Sequence, residues 1–461
     1  MERFSIIMAA GKGTRMKSEL PKVLHQVAGK AMVELVLDTI LAAGVKEVVT
    51  VVGHGAKLVA DQIHDRSQVV VQAEQLGTGH AVQMAAPLLV EKSGSTLIAS
   101  GDAPLFTQAT YEQAFAAHEA SGNAVTVLTA DALDPFGYGR VIRDTQGAVL
   151  RIVEQKDADE QEAAVHEVNT GVYVFDNQLL FQALKLVNND NAQGEYYLPD
   201  TLEILRNQGQ VVGAYQIADF NESMGVNDRV ALAKANQVLR ARINEQHMRN
   251  GVTLIDPATT YIDTEVEIGG DTVIEGNVVL KGQTKIGSHV HITAGSRLID
   301  TEVSDQVFID NSTLEQAEVA KAATIGPYAH LRPKSQIGED AHVGNFVEVK
   351  NAQLGANTKA GHLTYVGDAT IGDDVNLGAG TVFVNYDGKN KFHANVGNRA
   401  FIGSNTKIIA PVTIAEESIT AAGSTITNDV PIHAMGIARA KQINKEDFWK
   451  RLPVSEKFNQ Q

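Results

Sequence analysis

The chain contains no cysteine, which excludes disulfides, thiolate metal sites and a cysteine acyl carrier. Positive charge is short, with 39 Lys and Arg against 55 Asp and Glu. That balance argues against a nucleic-acid partner or an anionic membrane surface, so any phosphate-bearing ligand must be held by local cations and backbone amides. No run approaches the roughly 20 apolar residues of a membrane span. In the opening MERFSIIMAAGKGTRM a glycine loop interrupts the apolar run too early for a signal peptide. The expectation is a soluble, cytoplasmic protein with no membrane insertion. At 461 residues the chain has room for two or three domains.

What the second half does have is a period of six. Aliphatic residues stand at Ile268, Ile274, Leu280, Ile286, Ile292 and Leu298 and, after a one-residue slip, at Ile325, Leu331, Ile337, Val343 and Val349, then at Ile402, Ile408 and Ile414. Helical burial needs a period near 3.6 and a half-buried strand needs 2. Six fits a solenoid in which each hexad is one flat side of a coil with its aliphatic residue inward. At three hexads per coil, residues 251–430 make about ten coils, about 50 Å of stacked strands. The beat weakens at Ala360, beside His362, and disappears between Phe383 and Val396. Loops on rigid scaffolds are where binding groups collect, and cations recur nearby at Arg332, Lys334, Lys350, Arg399, Arg439 and Lys441. An unbroken solenoid would serve as an oligomerisation frame alone. His289 and His291 alternate, but a solvated face explains them better than a metal does; His330 and His342 read as surface residues.

The first half alternates strands and helices, which implies a mostly parallel sheet with ligands at the carboxyl ends of its strands. Residues 4–8 read as a buried strand leading into the AAGKGTRM loop, whose N–H groups can cradle phosphates. The loop is neither a P-loop nor a dinucleotide fingerprint, because no G-K-[ST] closes it and Met16 stands where a third glycine belongs. Lys12 and Arg15 flank it, and Pro21-Lys22 follows. Further strands at residues 48–52, 69–71 and 96–99 run into Gly53, Gln72 and Asp102. A carboxylate at Asp102 suits a divalent cation bridging phosphates, although a lone aspartate more often caps a helix. Glu154, Asn169 and Asn227, taken singly, read as turn or cap residues. Residues 227–249 read as one helix with a thin apolar stripe of Val230, Ala233, Val238, Ala241 and Ile243, ended by Gly251.

Together the motifs are more specific. AAGKGTRM, PKVL, QAEQLGTGHA, GDAPL, GYGR, NTG and GEYYLPD resemble sugar-1-phosphate nucleotidyltransferases. With LRP, GNFVEVK, GHLTYVGD, NLGAGT and NYDG behind them, residues 1–441 resemble the bacterial bifunctional N-acetylglucosamine-1-phosphate uridyltransferases and glucosamine-1-phosphate acetyltransferases. The resemblance implies an α/β, Rossmann-like uridyltransferase domain at 1–226 and a linker helix at 227–250. It also implies a left-handed parallel β-helix at 251–441 that assembles as a homotrimer, and a tail at 442–461. In the first domain Met8, Ala9, Ala10 and Gly11 would contact nucleotide, and Gln72, Gly77 and Thr78 would read the uracil. Arg15 and Lys22 would neutralise phosphates, Asp102 and Asn227 would hold Mg²⁺, and Gly139, Glu154 and Asn169 would grip the amino sugar. Some relatives carry an aromatic residue at the place of Ser100. In the second domain His362 would be the general base, oriented by Glu348. Arg332, Lys350, Tyr365 and Asn376 would bind glucosamine 1-phosphate, and Ala379, Asn385, Tyr386, Ser404, Ala422 and Arg439 acetyl-CoA. The tail's Lys445, Lys450, Arg451 and Lys457 around Trp449 carry charge suited to the phosphates of coenzyme A.

Overall fold

The structure, a computed structural model, describes residues 1–458; the last three residues of the tail expected at 442–461 lie outside the described residues. Two compact units divide the chain, Met1–Ile243 and Asn244 onward. The first is built on a mixed sheet ordered Val212–Gln216, Val125–Asp131, Glu167–Asp176, Ser95–Ser100, Arg3–Ala9, Glu47–Val52, Gln68–Val71. Along that path every neighbour pair is parallel except the two made by Glu167–Asp176. A short antiparallel pair, Arg140–Arg143 with Val149–Val153, hangs from it at Arg140. Strand Arg3–Ala9 sends Ile7 and Ala9 into one apolar core and Phe4 and Ile6 into another. Burial on both faces is why its sequence reads as a continuous apolar run rather than an alternation.

The second unit is a stack of three parallel sheets of 11, 10 and 9 strands, consistent with the solenoid expected from the hexads and with the left-handed parallel β-helix that the resemblance implies. Ile274, Ile292, Ile309, Ile325, Val343, Ala360, Leu377 and Ile402 stand over one another on successive coils. The single slip expected between Leu298 and Ile325 is instead a set of short corners. The inward residues there are Val303, Ile309, Leu314 and Val319, all buried, so three of the steps are five residues long. Two more short steps run from Val349 to Leu354 and from Val366 to Ile371. Each is turned by one residue at positive φ two places after the inward one: Asp300, Asn311, Gln316, Asn351 and Asp368, at φ of 34–48°. Asp and Asn enter that conformation at lower cost than other side chains. Four of these corners join the second sheet to the third, the same edge from which residues 385–393 are thrown out.

Helix Arg229–Arg249 crosses the boundary between units. Its apolar side differs from the expected stripe: Val230 is 80% exposed, whereas Ala235, with Ala231, Leu232, Val238 and Leu239, packs on Val27, Met32, Leu35 and Leu105. Spacings of 1, 4, 7 and 8 from Ala231 are those of one helical face. Among the described residues no helix is long and apolar enough to cross a membrane.

Candidate active sites

At the carboxyl ends of Arg3–Ala9 and Ser95–Ser100 lies a cleft of about 230 Å³. Met8, Ala9, Ala10, Gly11, Lys22, Gln72, Gly77, Thr78, Ser100 and Asp102 line it, joined by Gln75 and Glu195, for which the motifs implied no role. Gly13 sits at φ 60°, and a Cβ there would fall 2.5 Å from Lys22 Cβ; the bare backbone lets the loop close on the lysine stem. The ammonium of Lys22 contacts Asp102 Oδ2 and lies 3.2 Å from Asn227 Oδ1. The other carboxylate oxygen, Oδ1, accepts the Ser100 hydroxyl at 2.6 Å. Gly77, at φ 114°, fits because a Cβ would strike the Tyr196 carbonyl oxygen at 2.6 Å, and Gly79 N–H donates to that same oxygen. GEYYLPD thus serves as the wall on which the Gln72–Thr78 loop rests.

Arg15 is exposed on the short turn Thr14–Met16 and is absent from the cleft lining. Arg229, unassigned from sequence, donates through Nε to the Met16 carbonyl at 3.2 Å and places Nη1 3.3 Å from His25 Nδ1. It stitches the glycine loop and the PKVL turn to the segment carrying Asn227. Gly139, Glu154 and Asn169 form a separate group. Asn169 N–H donates to the Gly139 carbonyl at 2.8 Å, Asn169 Nδ2 donates to Tyr173 Oη at 2.7 Å, and a Cβ on Gly139 would fall 3.2 Å from Glu154 Oε1. Burial raises the Glu154 pKa, Asp157 and Asp200 raise it further, and Arg140 opposes them. Burial, with Glu203 and Asp157, likewise pushes Asp200 up to about 6.

Among the described residues no group of three or more His, Cys, Asp or Glu could hold a metal ion. Asp102 and Asn227 offer two hard oxygens converging on the Lys22 ammonium. That set fits a divalent cation such as Mg²⁺, which takes one or two protein oxygens and completes its sphere with phosphates and water.

In the second unit the register aligns Val343, Ala360, Leu377, Ile402 and Thr420. Two places after each stand Asn345, His362, Ala379, Ser404 and Ala422, one column along a corner of the coil. Backbone bonds tie its rungs: Leu363 N–H to Asn345, Gly380 N–H to Leu363, Asn405 N–H to Ala379 and Gly423 N–H to Ser404 carbonyls. The exposed His362 has Nδ1 2.6 Å from Asn345 Oδ1. An amide oxygen accepts, so Nδ1 is the donor side of this contact and Nε2 is the ring nitrogen left for another partner. Glu348, the partner expected for this imidazole, holds Arg332 Nη1 at 2.8 Å. Arg332 and Glu348 stand on adjacent coils beside the paired Leu331 and Val349, so the opposite charges meet across one rung. In the next column Tyr328, Phe346 and Leu363 are exposed, at φ of 48–58°. The Tyr328 and Phe346 rings stack with centroids 5.5 Å apart.

Cations gather on the neighbouring sheet. Contact with Lys391 lowers the Lys350 pKa, with burial and Arg332 adding to the effect and Asp368 opposing it. Lys391 belongs to the thrown-out loop, and its contact with Lys350 was invisible in sequence. That loop is anchored by Asp368, which is buried and accepts Asn351 Nδ2 at 2.5 Å and the Asn385 amide. Asn385, expected at acetyl-CoA, therefore commits its NH₂ to the loop anchor. Tyr386 is exposed, bridges to Lys391 through its backbone and donates its hydroxyl to the Gly388 carbonyl at 2.6 Å. Tyr365 pairs in register with Glu348, and Asn376 with Lys359. Arg439, Lys445, Lys450, Arg451 and Lys457 are all exposed, Trp449 lies 6.1 Å from Phe458, and Lys450 pairs with Asp447 at 2.7 Å.

A family profile described as nucleotidyl transferase matches residues 4–225. The chain is 59% identical over 451 residues to the bifunctional protein GlmU of Latilactobacillus sakei subsp. sakei, with 98% of each chain covered. It is 57% identical over 456 residues to that of Lactobacillus delbrueckii subsp. bulgaricus, with 99% of each covered. The GlmU of Enterococcus faecalis is 57% identical over 451 residues, again with 98% of each covered. Identity of this order extends through the sheet unit and the coiled unit alike, and the chain belongs to the family of bifunctional GlmU proteins.

Proposed function

We propose that the chain carries out two consecutive reactions of UDP-N-acetylglucosamine synthesis, the first in its coiled unit and the second in its sheet unit. The observation that carries this reading is the pairing, in one chain, of the Lys22–Asp102–Asn227 cleft with the His362–Asn345 column beside Lys350 and Lys391. A purely architectural coil needs no exposed histidine held by an amide and no facing lysines.

In the coiled unit Arg332, Lys350 and Lys391 hold the phosphate of glucosamine 1-phosphate, with Tyr365 and Asn376 on the sugar. The amine reaches the site protonated, and His362 Nε2 is the base that takes its proton. The freed amine attacks the acetyl carbonyl of acetyl-CoA; a C–N bond forms, the C–S bond breaks, and coenzyme A leaves as its thiol. With no cysteine in the chain, transfer is direct rather than through a cysteine acyl-enzyme. Glu348 fixes Arg332 and supports the charged imidazolium. Acetyl-CoA runs along Ala379, Ser404 and Ala422, with Asn385, Tyr386 and Arg439 beside it.

In the sheet unit a phosphate oxygen of N-acetylglucosamine 1-phosphate attacks the α-phosphorus of UTP in line and expels pyrophosphate. Such a step needs alignment and charge stabilisation more than a covalent nucleophile. The glycine-loop amides and Lys22 hold the phosphates, and Arg15 reaches them from the rim. Gln72, Gly77 and Thr78 select the uracil, while Gly139, Glu154 and Asn169 hold the sugar. Asp102 and Asn227 would hold Mg²⁺, which would neutralise phosphate charge when bound. A homotrimer is part of the reading, supported by the exposed Tyr328–Phe346–Leu363 stripe beside His362. A cytoplasmic location is also part of the reading, supported by the use of UTP and acetyl-CoA as substrates.

The experiment supplies glucosamine 1-phosphate, acetyl-CoA, UTP and Mg²⁺ and follows coenzyme A and pyrophosphate separately. Release of both supports the reading. Pyrophosphate alone, with N-acetylglucosamine 1-phosphate supplied, leaves a nucleotidyltransferase on a structural coil, and release of neither leaves a binding scaffold.

A further inference from the structure

We propose that Ser100 is a positioning residue for the divalent cation, setting the rotation of the Asp102 carboxylate. This rests on the reading of Asp102 as a metal ligand. The backbone of the site is already fixed. Ser100 pairs in register with Met8, Gly101 N–H donates to the Met8 carbonyl at 2.9 Å, and the Asp102 carbonyl accepts Val226 N–H at 2.8 Å, next to Asn227. None of these bonds fixes the plane of the carboxylate, whose terminal torsion is soft and two-fold. The Ser100 hydroxyl does, by donating to Oδ1 at 2.6 Å, a charge-assisted bond of the short, strong kind. With Oδ1 occupied, Oδ2 points at the Lys22 ammonium beside Asn227 Oδ1. The carboxylate thus leaves Oδ2 as the oxygen that would hold the cation, with the Asn227 side-chain oxygen beside it.

The test compares Ser100→Ala, Ser100→Thr and Asp102→Ala in the full chain. Mn²⁺ binding is measured from the electron paramagnetic resonance of the free ion, with UDP-N-acetylglucosamine present. Loss of a partner that orients a metal ligand weakens metal binding about 10- to 100-fold. Ser100→Ala is expected to raise the Mn²⁺ dissociation constant by at least the lower figure. The Mg²⁺ concentration for half-maximal uridylyl transfer should rise in parallel. Ser100→Thr, which keeps the hydroxyl, restores both. Wild-type Mn²⁺ binding by Ser100→Ala, with Asp102→Ala deficient, overturns the role of Ser100 alone. Wild-type binding by Asp102→Ala overturns the metal reading beneath it.

Discussion

The Asn345 side-chain oxygen lies 2.6 Å from Nδ1 of His362, seventeen residues later and one coil further along the column. One hydrogen bond of about 1.4 kcal/mol corresponds to a tenfold change in rate. Asn345→Ala is therefore expected to lower kcat for acetyl transfer about tenfold, with the KM for glucosamine 1-phosphate little changed. Glu348→Gln should act chiefly through Arg332 and raise that KM. Steady-state kinetics of the two variants separate the roles; a larger kcat loss in Glu348→Gln would make the glutamate the group that governs the imidazole.

The two reactions should come apart by mutation. His362→Ala is expected to lower acetyl transfer by about 10²–10⁴-fold, the usual worth of a positioned base, and to spare uridylyl transfer. Asp102→Ala should do the reverse. Loss of both activities in either folded variant would refute two independent sites.

Lys391 contacts Lys350, and Asp368 offsets the like-charge pair. An arriving phosphate relieves that repulsion. Lys391→Ala should raise the KM for glucosamine 1-phosphate and flatten its dependence on ionic strength, measured between low and physiological salt. An unchanged KM would remove Lys391 from the site.

Phe346 holds a bulky ring at φ 56° on an exposed corner, stacked on Tyr328. Under the proposed homotrimer a second copy would cover that stripe, which would account for solvent-facing aromatics in so uncommon a backbone conformation. Phe346→Asp is expected to lower the molecular mass in solution measured by light scattering and to weaken acetyl transfer. A variant of wild-type mass would place the contact elsewhere.

His118 is buried against Thr126 with Nδ1 3.0 Å from the hydroxyl, and burial lowers its pKa from 6.5 to about 4. Unfolded chains take up that proton below pH 6.5 and the folded chain does not until about pH 4. The first unit therefore loses stability as pH falls through this window, by up to roughly 3 kcal/mol. Asp200, raised to about 6, works in the opposite direction, since its folded form takes up a proton first. His118→Gln should isolate the histidine's share, flattening the fall of the urea midpoint between pH 7 and pH 5 in pulse proteolysis of residues 1–243. An equal fall in both proteins would clear His118.

The period of six was plain in sequence because each coil buries the same place, yet a fixed period hid the partners that matter. A coil is shorter by one residue for each five-residue corner it contains. Asn345 and His362 are separated by such a count, as are Asn351 and Asp368, so their pairing follows only once the corners are located. The turning residues Asp300, Asn311 and Asn351 carry a readable signal, a side chain tolerant of positive φ just after an inward aliphatic. The motifs of the first unit marked the cleft lining well, because glycine loops after strands sit at one sheet edge. They could not show Arg229, which acts on Met16 and His25 from more than two hundred residues away.

The column from His362 to Ala422 also acts as a ruler. Its rungs are set by strand stacking, about 4.8 Å each, so its reach from histidine to last rung changes only in whole coils. Under the proposed path of acetyl-CoA, the coenzyme arm would be measured in those units. Removing or adding one complete coil between Ser404 and Ala422, beyond the loop that carries Lys391, would shift its fit in a discrete jump, where a point substitution can only tune it.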